Sequence, residues 1–504
     1  MDVAAASHID AAARPAMVSE QALSADTLRR RGSVLTGEAL ADWPWLGPTG
    51  RGLLVSGLPG SLLLLDGMRL APAATGLVDL AMIPLAVIGG ARLSAGGAGA
   101  AQGAGSLSGF VDMQLAAIGG GSQILAATGG QAGRSIAAID LRLGSERGWL
   151  GGGFTQGGGV PSPAGLAASG QQRWHLAGRF EQDVGAVRLR GRGLFASRRE
   201  SGTRSDWHDV AIGLSGGTRW QWQLAAARGG QDDATQSSRL GQARAVIGGA
   251  TGLILPGAAE PISVAAGAEW RQLRLAESKV PARELFAEAA VPLLQDRPAA
   301  ENLVATLGVR QAWLGGLAGH GGRAETLWQA GGRWEPFPGI ALRGQVARGI
   351  DDFGDVSGIS RSVGLIATPA FVPGFAITVD RRWQSQGLAR VQALDLSASW
   401  RLRTGDGAQL ALAVLATHHD LSEHTLVPVP RFASLLRATL ETGQWAVSAG
   451  WRHRTAQAGG VDVSLERQLS GRIRIVASVS NAVNSGRDGG PVGRQALLQL
   501  VAGF

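Results

Sequence analysis

The 504-residue chain holds 47 Lys and Arg against 39 Asp and Glu, for a net charge of +8, and contains no cysteine. Disulfide scaffolds and thiolate metal sites are thereby excluded. Hydrophobic residues make up 45%, yet Gly57, Pro59 and Gly60 break the longest apolar stretch, so no transmembrane helix is expected, whereas membrane strands need only about 9–11 alternating residues. Glycine is abundant at 77 residues, but Trp and aliphatic residues recur throughout and rule out a low-complexity tail. The charge is uneven: residues 1–118 carry net −2 and the remainder net +10. The arginines are scattered rather than gathered in a basic arm, which argues against nucleic acid and suits the polar interior of a barrel. Lys279 is the sole lysine.

In chain order, the first 25 residues show no basic start followed by an apolar core, so no secretory leader is expected there. Residues 1–23 read as a flexible segment. From Ser24 to Trp45 a short helix is expected around Glu38 to Asp42, closed by Pro44. Gly52 to Leu65 reads as two short strands joined by a Gly-Pro-Gly turn, the second buried on both faces. Asp66-Gly67 is a tight-turn pair, since glycine accepts the positive φ that such turns demand. The glycine-alanine tract that follows, from Gly89 to Gly109, lacks the Gly-Lys-Ser/Thr ending and the helix of a phosphate loop.

From Ser122 onward the pattern becomes strict alternation. One face of RWHLAGRFEQD carries Arg173, His175, Arg179 and Glu181, while the other carries Trp174, Leu176, Gly178 and Phe180. Val187, Leu189 and Phe195 oppose Arg188, Arg190 and Arg192; Trp220, Trp222 and Leu224 oppose Arg219, Gln221 and Gln223. Such a period of two needs one apolar and one wet surface. The last strand sets Ala496, Leu498, Leu500, Ala502 and Phe504 on one face.

These segments resemble the TonB-dependent outer-membrane receptors. The likeness lies in SLLLLDGMRL, DLAMIPLAVIGGARL and GSLSGFVDMQL between Ser61 and Leu115, in RWEPFPGIALRGQVARG and PGFAITVD further on, and in the ending that closes on Phe504. The resemblance implies an all-β membrane protein: a plug domain (24–118) inside an antiparallel transmembrane β-barrel of about 22 strands (119–504). It also implies plug residues Asp66, Gly67, Arg69, Asp79, Pro84, Arg92 and Gly109, and Phe504 as the signal read by the barrel-insertion machinery. The implied activity is uptake of a small ligand, such as an anionic metal-siderophore chelate, driven by a TonB-type coupling protein in the outer membrane. Two other readings are an uncoupled barrel acting as a pore or structural protein, and a secreted all-β binding module. The chain departs from the family pattern in having GGARLSAGGAG where a charged R-G-P element is usual, in lacking a TonB box before Ser24, and in having no tyrosine.

No catalytic residues and no cofactor are expected. Gly213 to Gly217 matches the G-x-S-x-G nucleophile elbow but lies between alternating segments rather than on a strand-turn-helix. His418, His419, Asp420 and His424 form the one dense histidine group, a candidate ligand or metal loop, although adjacent strand residues point to opposite faces. Asp351, Asp352 and Asp355 read as a polar turn, with Ca²⁺ binding as the alternative.

Overall fold

The computed structural model describes residues 19–503 apart from short internal gaps, the longest at 97–107, 158–170, 295–301, 316–321, 351–356, 422–429 and 481–494. The N-terminal part contains strands β1 (Ser19–Ser24), β2 (Leu46–Thr49), β3 (Gly52–Val55), β4 (Ser61–Leu65), β5 (Met68–Arg69), β6 (Ile88–Ala95) and β7 (Gly109–Leu115), with helices α1 (Ala25–Arg29) and α2 (Thr36–Ala41). Five strands form one sheet in the order β1-β6-β7-β4-β5, and β2 pairs with β3. Ser24 ends β1 and caps α1 by accepting a hydrogen bond from the Thr27 amide at 3.2 Å, which satisfies a donor the first turn leaves open.

One detail departs from the sequence expectation. The sheet already begins at Ser19, inside the segment assigned to flexible residues 1–23. Its six residues lie in register along β6, from Ser19 opposite Ala95 to Ser24 opposite Gly90, and Leu23 is buried. The two short strands expected on either side of the Gly-Pro-Gly sequence are present, each with other partners: β3 pairs with β2, whereas β4 lies between β5 and β7. The central position of β4 explains its run of four leucines, all buried, as fits a strand covered on both faces.

Strands β8 (Gln123–Gln131) to β29 (Gln495–Gly503) form a closed, wholly antiparallel barrel of 22 strands. β29 pairs with β8, from Gln495 opposite Gln131 to Gly503 opposite Gln123, so no edge remains and backbone polar groups are satisfied within the wall. On β11 (Gln171–Val184) the outward residues Trp174, Leu176 and Phe180 are exposed, while His175 and Ala177 are buried. The same alternation runs around the barrel, leaving Ile212, Leu285, Leu307 and Leu394 exposed among many others. A solvent-facing apolar band of this extent is the surface that lipid covers.

Tryptophan and phenylalanine supply two girdles without tyrosine. Trp174 and Phe180, Trp328 and Trp334, and Trp445 and Trp451 stand six residues apart on their strands, all exposed. At a rise of about 3.3 Å per residue, each pair spans roughly 20 Å along its strand. No described helix is long and apolar enough to cross a membrane.

The N-terminal domain lies inside this wall. Its β1 and α1 end sits by the turns at 443–444 and 469–472, hereafter the near rim, through Arg30 to Glu441 and Asp26 to Arg474. Leu58 and Ala71 reach the far rim, packing against Ala389 and Val391 and against Leu240, Leu273 and Val280. Most of its own core, including Leu65, Leu80, Ile83, Leu93 and Met113, is continuous with inward wall residues Ala177, Leu194, Ala196 and Trp207.

Candidate functional site at the plug and barrel wall

The residues singled out from the sequence converge on the contact between plug and wall. Asp66 (φ 45°) and Gly67 (φ 77°) make the two-residue turn between β4 and β5, both in the left-handed region that such hairpin turns require. The turn is braced by β7: the Asp66 amide donates to Met113 O at 2.8 Å, Leu115 N donates to Asp66 Oδ1 at 3.1 Å, and Gly67 N donates to Asp112 Oδ1 at 2.9 Å. Asp66 also faces the wall, with Oδ2 3.5 Å from Arg192 and Oδ1 3.8 Å from Arg179. Arg192 donates to Leu65 O and pairs with Asp209 at 2.8 Å. The wall thus grips the turn through both its side chain and its backbone.

Arg69 follows on β5, opposite Leu64. Its backbone amide donates to Gln242 Oε1 at 3.3 Å and its carbonyl accepts from Gln242 Nε2 at 2.7 Å. Its guanidinium, buried with its partner, is 3.4 Å from Glu269. Behind Glu269 stands an alternating cluster in which Arg310 contacts both Glu269 and Glu284, and Arg271 lies 3.3 Å from Glu284. Asp79 does two jobs. Oδ1 accepts from Ala81 N at 3.0 Å and caps the 3-10 turn Leu80–Met82, while Oδ2 sits 3.1 Å from Arg198 of the wall.

The other plug residues act within the domain. Pro84 forms an isolated bridge with Leu35 and leads into the 3-10 turn Leu85–Val87. Arg92 pairs with Glu20 across β6 and β1 at 3.0 Å. Gly109 has φ +133°, and a Cβ there would lie 2.2 Å from Ser94 O, so the backbones of β6 and β7 approach too closely for any side chain. Asp112 is fully buried beside the turn. Burial pushes its carboxyl up to about 6, against the opposing pull of the Gly67 amide.

Several contacts had no signature in the sequence. Arg30 bridges Glu441 at 2.8 Å and Glu466 at 3.1 Å, Asp26 pairs with Arg474 at 3.1 Å, and Trp149 Nε1 donates to Ala116 O at 2.8 Å. Each joins residues far apart in the chain, and none belongs to a local motif.

The histidine group does not converge on one point. On β24 (Gln409–Leu421) His419 is buried and faces inward, with Nδ1 3.1 Å from Pro430 O, while His418 and Asp420 are exposed on the opposite face. His424, Phe504, Asp351, Asp352 and Asp355 lie outside the described residues. Among the described residues, no group of three or more His, Asp or Glu is placed to hold a metal ion. Ser215 of the G-x-S-x-G match lies within the strand β13 (Thr203–Gly216), so no nucleophile elbow exists there. Inward arginines such as Arg192, Arg198, Arg271, Arg310, Arg343 and Arg382 each lie against a carboxylate. The positive excess of the wall is therefore not simply a basic lumen.

No protein-family model and no curated protein sequence matches the chain. Solved structures do match in three dimensions. The siderophore receptor PirA from Pseudomonas aeruginosa aligns with a TM-score of 0.73 and 14% identity, covering 96% of this chain and 99% of that one. A variant of the ferric enterobactin receptor PfeA from Pseudomonas aeruginosa gives 0.75 at 12% identity, covering 96% and 98%. The ferric-catecholate import receptor Fiu from E. coli K12, in its open form, gives 0.71 at 12% identity, covering 98% and 97%. The chain has the fold of these receptors, a 22-strand barrel with its N-terminal domain seated inside as a plug.

Proposed function

We propose that the protein is an outer-membrane receptor that takes up a scarce ligand of the metal-siderophore class, with energy supplied from the near-rim side by a TonB-type coupling protein. The observation that carries this reading is a lumen filled by a separately built sheet domain, held to the wall by ion pairs at Asp66, Arg69 and Asp79. The seam is mixed, apolar at Ala177, Leu194, Ala196 and Trp207 and ionic at these three residues, and its ionic part can be exchanged for water. The domain's first strand and α1 stand at the near rim, where a partner could engage residues ahead of Ser24. The solved receptors with this fold are named for siderophores, which suggests the cargo class.

On this reading the plug comprises residues 24–118 together with the strand from Ser19, and the wall follows from 119. The outward Leu498 and Leu500 of β29 support Phe504 as the end of an insertion signal. A passive pore accords poorly with a filled lumen, and a secreted module has no use for two aromatic girdles. Connections at the far rim are short, the longest running 158–170 and 481–494, so ligand contacts would come mainly from the plug apex and the upper wall.

The test is uptake of radioactive iron presented on a panel of siderophores, in cells lacking their own receptors and expressing this chain, with and without TonB. The proposal requires uptake of at least one chelate that disappears without TonB. Uptake that persists without TonB, or none across the panel, would refute it.

A further inference from the structure

On the lipid-facing side of β13 to β17 (Ser278–Leu294) the wall carries a recess of about 1130 Å³. Ala226, Ala243, Ala245 and Ala268 form its outward floor, flanked by Leu224 and Trp270. Small residues at four neighbouring positions withdraw the surface where other strands present Leu or Trp. The register sets Ala226 opposite Ala243, Ala243 opposite Trp270, Trp270 opposite Arg283, and Arg283 opposite Trp313. The recess therefore opens at the level of exposed tryptophans, toward the far rim.

Cations stand further along in that direction: Arg228 is the next outward residue after Ala226, and one outward position beyond Gly241, Gln272 and Pro281 the residues Arg239, Arg274 and Lys279 stand directly opposite one another on three adjacent strands. Arg239 is matched by Asp232 at 2.6 Å. Arg228, Arg274, Lys279 and Arg283 form no ion pair with another described residue. Like charges across a ladder repel, so this row is unfavourable in isolation and an anion from outside the chain would relieve it.

Depth indicates which anion. Tryptophans of a membrane wall sit at headgroup level, so cations just beyond them stand at the depth of lipid phosphates, and an apolar recess below lies among acyl chains. We infer that this face binds a membrane lipid with a phosphate-bearing headgroup. The phosphate lies among Arg228, Arg274, Lys279 and Arg283, and an acyl chain runs along the alanine floor against Trp270 and Leu224. The lone lysine of the chain belongs to this row.

The test is native mass spectrometry of the full chain in neutral detergent, with phosphatidylglycerol and phosphatidylcholine of identical acyl chains as probes. Phosphatidylglycerol should be retained preferentially, and the variant R228Q/R274Q/K279Q/R283Q should lower its retention by at least about tenfold, to the level of phosphatidylcholine. R361Q/R381Q/R390Q, which removes outward arginines elsewhere on the wall, should leave retention unchanged. A243L/A245L, with every cation intact, should lower retention of both lipids by filling the floor. Heat-modifiable gel migration confirms that each variant is folded, and R274Q/K279Q replaces the fourfold variant if that one is not. Equal retention of the two lipids, no loss in the fourfold variant, or an equal loss in the distant variant overturns the site. Glycerol phosphate held as tightly as the lipid overturns the role of the recess.

Discussion

Removing Asp79 should unseat the plug locally more than removing any exposed charge. Its carboxylate and the Arg198 guanidinium are 2% and 3% exposed and 3.1 Å apart. Asp79→Ala strands a buried guanidinium, for which breaking a buried pair typically costs about 3–5 kcal/mol. Loss of the cap on Ala81 adds roughly 1 kcal/mol. Arg198 retains Glu200 at 3.7 Å, so the lower end of that range is expected, about 3–4 kcal/mol in all. Arg198→Ala should cost less, because Asp79 keeps its cap. The double variant should recover a part of the pair's cost, since neither charge is then orphaned, giving a coupling of about 1–3 kcal/mol. Hydrogen exchange of the amides from Leu80 to Ala95 in detergent micelles reads this directly. Asp79→Ala should speed exchange there by roughly two powers of ten or more, with barrel strands unchanged. Additive single effects, or unaltered exchange in Asp79→Ala, would refute the claim that this pair seats the plug.

Three further outcomes are expected. Asp112 has a folded-state value near 6, above the ordinary value for Asp in an unfolded chain of about 3.9. This group's contribution to plug stability is thus present at low pH and lost as pH rises from about 4 through about 6; with exchange corrected for its intrinsic pH dependence, lowering pH from 7 to 5 should raise the protection of the plug in the wild type relative to Asp112→Asn by about 1 kcal/mol equivalent. A difference between the two that stays constant with pH would contradict the assignment. Gly109→Ala should destabilise the plug sheet by at least about 2 kcal/mol through its backbone strain and the contact with Ser94 O, seen as protease sensitivity of residues 19–118; wild-type resistance would contradict it. Ala449, outward between Trp445 and Trp451 and two residues from the latter, should tolerate arginine poorly. Ala449→Arg is expected to cost about 1–3 kcal/mol in urea titrations of refolding into vesicles, and a neutral result would deny lipid contact at that depth.

The wall was legible in the sequence because a period of two is a local property. Trp174 against His175, or Trp220 against Gln221, already tells which face is wet. The Asp66-Gly67 turn and the buried β4 were legible for the same reason, since turn chemistry and a run of four leucines need no distant partner. What escaped was everything set by tertiary proximity. Nothing near Arg30 announces Glu441, and nothing in SEQALS says that it will extend β6. The arginine surplus misled in one respect. Alternation assigns each residue to a face but does not reveal which inward arginines meet a carboxylate, nor that Arg274 and Lys279 come side by side on the outer wall. His418 and His419 were separable in advance by strand parity, and the buried position of His419 against Pro430 follows only from the fold.

The central claim is a plug seated in the wall that must move for transport, and the absence of cysteine allows a direct test. A Cβ at Gly229 of the wall would lie 3.4 Å from the Ala71 Cβ of the plug, close to the spacing a disulfide spans. In Ala71→Cys/Gly229→Cys, oxidation should form the cross-link in folded protein and abolish TonB-dependent uptake, and a reductant should restore it. Full uptake with the cross-link complete, or no cross-link in folded protein, would contradict the account.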